Sequence, residues 1–154
     1  FSKSIIKEIF PINKDESIGK TIKWLLAFSC IQIALYELGT NNADEFTNEV
    51  LSGSGSMILL LYGIGVVGPI FEEFLFRGLL FKGLEEKLGG VLAVFATSIL
   101  FVLPHIQYDF VILSLVLFPN ALILGFARLK TGNLTIPIIL HCGNNLASLL
   151  IAQS

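Results

Sequence analysis

Charge is scarce in this sequence: Asp, Glu, Lys and Arg make up 14% of the 154 residues, against 54% hydrophobic, and mean hydropathy is +0.80. A water-soluble globule needs a polar shell that so few charged groups do not supply, so that class is excluded. The formal net charge is only -2, and no lysine and arginine run interleaves with aromatics, which leaves no footprint for nucleic acid. There are just two cysteines, Cys30 and Cys142, in separate apolar stretches. They suggest neither a metal pair nor a redox compartment and read as small hydrophobes. No alternating barrel pattern and no repeat appears. The chain opens on Phe1, so further residues, spans included, are expected upstream.

What it has is long apolar runs. Five stretches, about 22–38, 57–81, 89–106, 110–129 and 134–152, approach the roughly 20 helical residues that cross a hydrocarbon layer. Helices satisfy their own backbone groups in lipid, so the expected fold is all-α: a multi-pass helical membrane protein of about five transmembrane helices. Residues 1–56 form an N-terminal segment with the first span and a polar loop; residues 57–154 form the second unit. Lys3, Lys7, Lys14, Lys20 and Lys23 precede the first span, Lys82 and Lys87 follow the second, and Arg128 and Lys130 follow the fourth. Positive charge resists translocation, which places the N-terminus and the loops near 85 and 131 in the cytoplasm and the C-terminus outside. The sequon Asn133-Leu134-Thr135 then faces the cytoplasm and carries no meaning. Low charge and small size suggest a bacterial cell membrane.

Against this background Glu72, Glu73 and Arg77 stand inside an apolar helix, where each lone charge costs at least a few kcal/mol. Glu73 and Arg77 are four residues apart, about 40° around the helix axis, and are expected to pair. Glu72 points elsewhere and must find partners on another helix or water in a cavity, the environment of a general base. Two acids that merely cross-link helices are the plain alternative. The chain's two histidines, His105 and His141, also lie in apolar segments, and Asn145 is one turn beyond His141 on the same face. Lipid-facing packing does not require such a set.

Other features read as structure. Gly63, Gly65 and Gly68 spell GxGxxG, but mid-membrane and without a preceding strand they serve close helix packing or a hinge ahead of Pro69. Cys142 beside His141 points about 100° away from it and is a bystander. Pro119 and Asn120 mark a kink with a satisfied amide. One difficulty concerns depth. At 1.5 Å per residue, Glu72 and His141 fall roughly 12 to 15 Å from the cytoplasmic boundary but His105 roughly 24 Å. A partly surface-lying segment over residues 84–94 is expected to remove the mismatch.

The three elements EExxxR (Glu72, Glu73, Arg77), FxxxH (Phe101, His105) and HxxxN (His141, Asn145) resemble the signature of the CPBP or Abi intramembrane proteases, relatives of the Ras-converting CAAX endopeptidase. The resemblance runs from about Gly68 to Asn145, in the family's order. It implies that Glu72 and His105 activate water, that His141 and Asn145 stabilise the oxyanion, and that Glu73 and Arg77 support them. It favours a metal-free reaction without cofactor. Zinc remains the alternative, with Glu72, His105 and His141 as ligands, although HExxH is absent. The implied activity is an intramembrane endopeptidase acting on a membrane-anchored protein or peptide, CAAX-protease-like or in bacteriocin immunity or maturation. The competing reading is a non-proteolytic immunity factor or small transporter that uses the Glu/His cluster for binding or proton relay.

Overall fold

The computed structural model describes residues 56–108 and 110–151, together with Gly19, Lys23, Phe28 and Gly53. Four helices follow one another: α1 (Met57–Leu88), α2 (Gly90–His105), α3 (Phe110–Thr131) and α4 (Thr135–Ile151). Among the described residues there is no strand, so the all-α expectation holds. By length and apolar composition, the 32 residues of α1 and the 22 of α3 can cross a membrane, and α2 and α4 are shorter apolar helices. Two long and two shorter apolar helices fit a helical membrane protein. The expected span at 22–38 lies outside the described residues except for Lys23, which is exposed, and Phe28, which is buried against Leu124, Ala127, Ile136 and Leu140.

Two of the three widened stretches in these helices have a cause in the sequence. Proline lacks an N–H and its ring clashes with the carbonyl one turn back, so the turn ahead of it opens. Pro69 follows a π-helical stretch at Gly63–Val67, and Pro119 follows another at Leu113–Leu117. The π turn before Pro69 releases carbonyls, which α4 takes up. Asn145 Nδ2 donates to Ile64 O at 3.0 Å, and Cys142 Sγ sits 3.7 Å from Val66 O. Gly65 permits this approach, because a Cβ there would lie 2.5 Å from Leu146 Cδ2. Of the three glycines, Gly65 therefore serves helix packing, whereas a Cβ on Gly63 would meet nothing within 4 Å and one on Gly68 only the backbone of its own helix. A third π stretch, Phe74–Leu80, carries Arg77 and has no proline to explain it.

Glycines also close α1 and α3. Gly89 (φ 81°) follows α1, and its N–H donates to Glu85 O. Gly132 (φ 64°) ends α3, donating to Arg128 O. Asn133 Oδ1 accepts from Thr135 N–H at 2.8 Å, tying down the first turn of α4.

The segment expected to lie on the surface does not. Residues 84–88 finish α1 and residues 90–94 begin α2, where Ala93 and Val94 pack at full burial against Phe81. Both belong to an antiparallel hairpin. A Cβ on Gly125 would meet Val94 Cγ1 at 2.8 Å, so α3 closes on α2 nearly backbone to backbone. This register also removes the depth mismatch. Helix α1 runs past 81 to Leu88, so Glu72 and His105 stand nearly level, each roughly 25 Å from the Gly89 turn at 1.5 Å per residue. A second expectation fails with the first. Arg128, read as a loop charge, is buried, donating from Nε to Arg77 O at 3.1 Å and from Nη1 to Gly132 O. Its guanidinium lies 5.9 Å from the centre of the Phe81 ring.

Candidate active site

The site is assembled from α1, α2 and α4, with α3 behind it. Glu73 and Arg77 are both 0% exposed and pair at 2.9 Å, the i, i+4 contact that their spacing predicted. In a low-dielectric interior such a pair gains from further hydrogen bonds, and here these are partial, since Glu73 Oε2 and Arg77 Nε have no partner among the described residues. Arg77 Nη2 donates to Ala121 O at 2.9 Å, and the guanidinium lies 4.6 Å from the centre of the Phe101 ring. Glu73 Oε1 accepts a second bond, from His141 Nδ1 at 2.9 Å. This contact between α1 and α4 was not anticipated, because each residue had been matched with a different partner. It fixes the ring's chemistry: a carboxylate only accepts, so Nδ1 carries the hydrogen and Nε2 faces outward.

What Nε2 faces is Glu72. Its Oε2 lies 3.6 Å away, beyond a normal hydrogen bond, and the Glu72 side chain is 31% exposed. Adjacent carboxylates thus occupy opposite environments. Glu73 is sealed and doubly bonded through one oxygen; Glu72 is partly exposed and within loose reach of the imidazole.

Phe101 links this pair to the rest. Its ring stacks on His105 with centroids 4.9 Å apart, meets the edge of His141 at 5.7 Å, and packs against Phe76 at 5.3 Å. Both histidines therefore touch one ring. His105 donates from Nδ1 to Phe101 O at 2.8 Å, which leaves its Nε2 as the acceptor. Tyr108, in the turn after α2, stacks on His105 at 6.4 Å. Burial pushes the Tyr108 hydroxyl up from its ordinary range, and the Glu72 charge pushes it further. Asn145 places its amide on Ile64 O. Asn120 is buried, but its Oδ1 has no partner among the described residues, so the satisfied amide expected there is not found.

The structure therefore joins Glu72, Glu73, Arg77 and His141 directly, connects His105 through Phe101, and ties Asn145 to the widened turn of α1. Among the described residues no group of three or more His, Cys, Asp or Glu is arranged to hold a metal ion. Sequence reasoning missed the roles of Arg128 and Tyr108. For Tyr108 one signal was present: it lies three residues after His105, within reach of its ring.

The helices and this polar cluster define a class, membrane proteins with an acid–imidazole site inside the bundle. The model of the Rce1-like type II CAAX prenyl endopeptidases matches residues 54–147, and the chain belongs to that family. An uncharacterised 24.3 kDa protein of Escherichia coli is 30% identical over 128 residues, covering 78% of this chain and 59% of its own length. YdiL of Bacillus subtilis, whose name proposes a membrane peptidase, is 26% identical, over 90% of this chain and 59% of its own. MroQ of Staphylococcus aureus, named a membrane-embedded CAAX protease, is 25% identical, over 75% and 48%. The chain thus spans about half the length of the curated relatives it matches. No solved structure matches it.

Proposed function

We propose that this chain is an intramembrane endopeptidase that hydrolyses a peptide bond of a membrane-anchored protein or peptide in a bacterial cell membrane, with Glu72 as the base. The contrast between the two adjacent glutamates carries the reading. A general base must be reachable by water and free of a strong partner, and Glu72 meets both conditions where Glu73 meets neither. Membership in the endopeptidase family and the names of YdiL and MroQ support the same class of reaction.

The chemistry runs on side chains of this site. Glu72 takes a proton from water as the water oxygen bonds to the carbonyl carbon, with His105 Nε2 as the second acceptor that orients that water. Negative charge then develops on the carbonyl oxygen. His141 keeps its Nδ1–H on Glu73, and a proton on its Nε2 would be offered to that oxygen; Asn145 has a second amide hydrogen beyond the one held by Ile64 O. The C–N bond breaks and the leaving amine takes the proton from Glu72. Glu73 and Arg77 act by holding His141 in one orientation. No step is routed through a metal.

One observation favours a second reading, a non-proteolytic membrane protein in which the cluster links helices: Asn145 and His105 each donate to a backbone carbonyl. Glu72→Gln and His105→Ala separate the two. The protease reading expects each variant to lose about 100-fold or more of its cleavage of a membrane-inserted peptide at near-normal abundance. Full cleavage at normal abundance in both variants would reject it.

A further inference from the structure

Helix α2 ends at His105, so no following helical turn braces its imidazole. The residues that come next do so unevenly. Ile106 and Gln107 are exposed, whereas Tyr108 turns back and is half-buried, its N–H donating to His105 O at 3.1 Å. Its ring plane lies 17° from that of the imidazole, with centroids 6.4 Å apart. On the helical side, Phe101 stacks at 30° and 4.9 Å and accepts the Nδ1 hydrogen on its carbonyl. The imidazole is thus held by one ring from the turn before it and one from the turn after it.

We infer that Tyr108 is a positioning residue whose ring face fixes the plane of the His105 imidazole, keeping Nε2 available to the water that Glu72 activates. The role rests on the reading of Glu72 as the base. A flat ring has little rotational freedom to lose, and a stacked pair restrains an imidazole more narrowly than an aliphatic neighbour of the same bulk. An aromatic in a turn at this position has a plain alternative, an anchor at the membrane interface, which would govern insertion and leave the inserted molecule's chemistry alone.

The test uses the whole chain in phosphatidylcholine–phosphatidylglycerol vesicles, with Tyr108→Ala, Tyr108→Leu and Tyr108→Phe. Turnover of a membrane-inserted peptide is measured per folded molecule. Alongside it, histidine-selective 15N spectra are recorded, which contain only two imidazoles, His105 and His141. Tyr108→Ala and Tyr108→Leu are expected to lower kcat about 10-fold with KM within about twofold, since small misplacement of a reacting group acts on kcat. Their His105 nitrogen signals should drift toward the average of the two tautomers while those of His141 stay put. Tyr108→Phe should match the parent in both. The inference is overturned if Ala and Leu leave kcat and the His105 signals unchanged, or if Phe behaves as they do, which would assign the effect to the hydroxyl. If the parent shows no Glu72-dependent cleavage, the protease reading falls, and the His105 spectra still decide what the ring does.

Discussion

The polar cluster has two sides that differ in how fully the protein satisfies them. On the inner side, Glu73, Arg77 and His141 bond to one another and to Ala121 O, with Phe101 over the guanidinium. On the outer side, Glu72 has a loose contact with His141 and partial exposure, and His105 leans on aromatic rings with one nitrogen uncommitted. Burial and ion pairing hold the inner side, although Glu73 Oε2 and Arg77 Nε find no partner among the described residues, whereas Glu72 is left accessible; one residue step along α1 separates the two. The contrast shows why a pair of adjacent carboxylates need not share a role.

Breaking the inner side should have the largest effect on the folded state. Arg77→Gln leaves Glu73 and its attached imidazole without their counter-charge, and is expected to cost about 3 to 5 kcal/mol, read as loss of folded protein in a denaturation series. The double variant Glu73→Gln, Arg77→Gln should recover much of that, because no lone charge then remains. No recovery would deny the pair its neutralising role. Gly65→Val presses on Leu146 and should cost about 1 to 3 kcal/mol by overpacking, with little change in turnover by the molecules that still fold. Unchanged stability would mean that α1 and α4 do not approach as described.

The smallest effects belong to groups outside both sides. Cys142→Ala removes a thiol that lies against Val66 O, and turnover should stay within about twofold, whereas a thiol nucleophile would lose nearly all of it. Chelator treatment should leave turnover unchanged, with no stoichiometric zinc by elemental analysis of the purified chain; inactivation reversed by zinc would bring the metal reading back.

Much of this was legible in sequence because lipid makes charge conspicuous. Glu72, Glu73, Arg77 and the two histidines stood out by being in the wrong solvent, and i, i+4 spacing alone foretold the Glu73–Arg77 pair. Contacts between helices were the part that could not be read. Nothing in local spacing says that Glu73 reaches His141, or that Phe101 touches both imidazoles, since those depend on the register of α1 against α2 and α4. The register was misjudged for one physical cause. Residues 82–88 are charged enough to look like surface, so α1 was ended at 81, and His105 then seemed too deep. Arg128 misled similarly: its charge suggested a loop, while its long stem reaches inward to the backbone of α1 and α3.

The most direct test of the account sets Glu72→Gln beside Glu73→Gln in the same vesicles, measuring folded fraction and turnover per folded molecule for each. The account predicts a crossed result: Glu72→Gln folds like the parent and loses at least about 100-fold in turnover, whereas Glu73→Gln loses folded protein and its survivors still turn over within about 10-fold. Parent-like turnover in Glu72→Gln would contradict it.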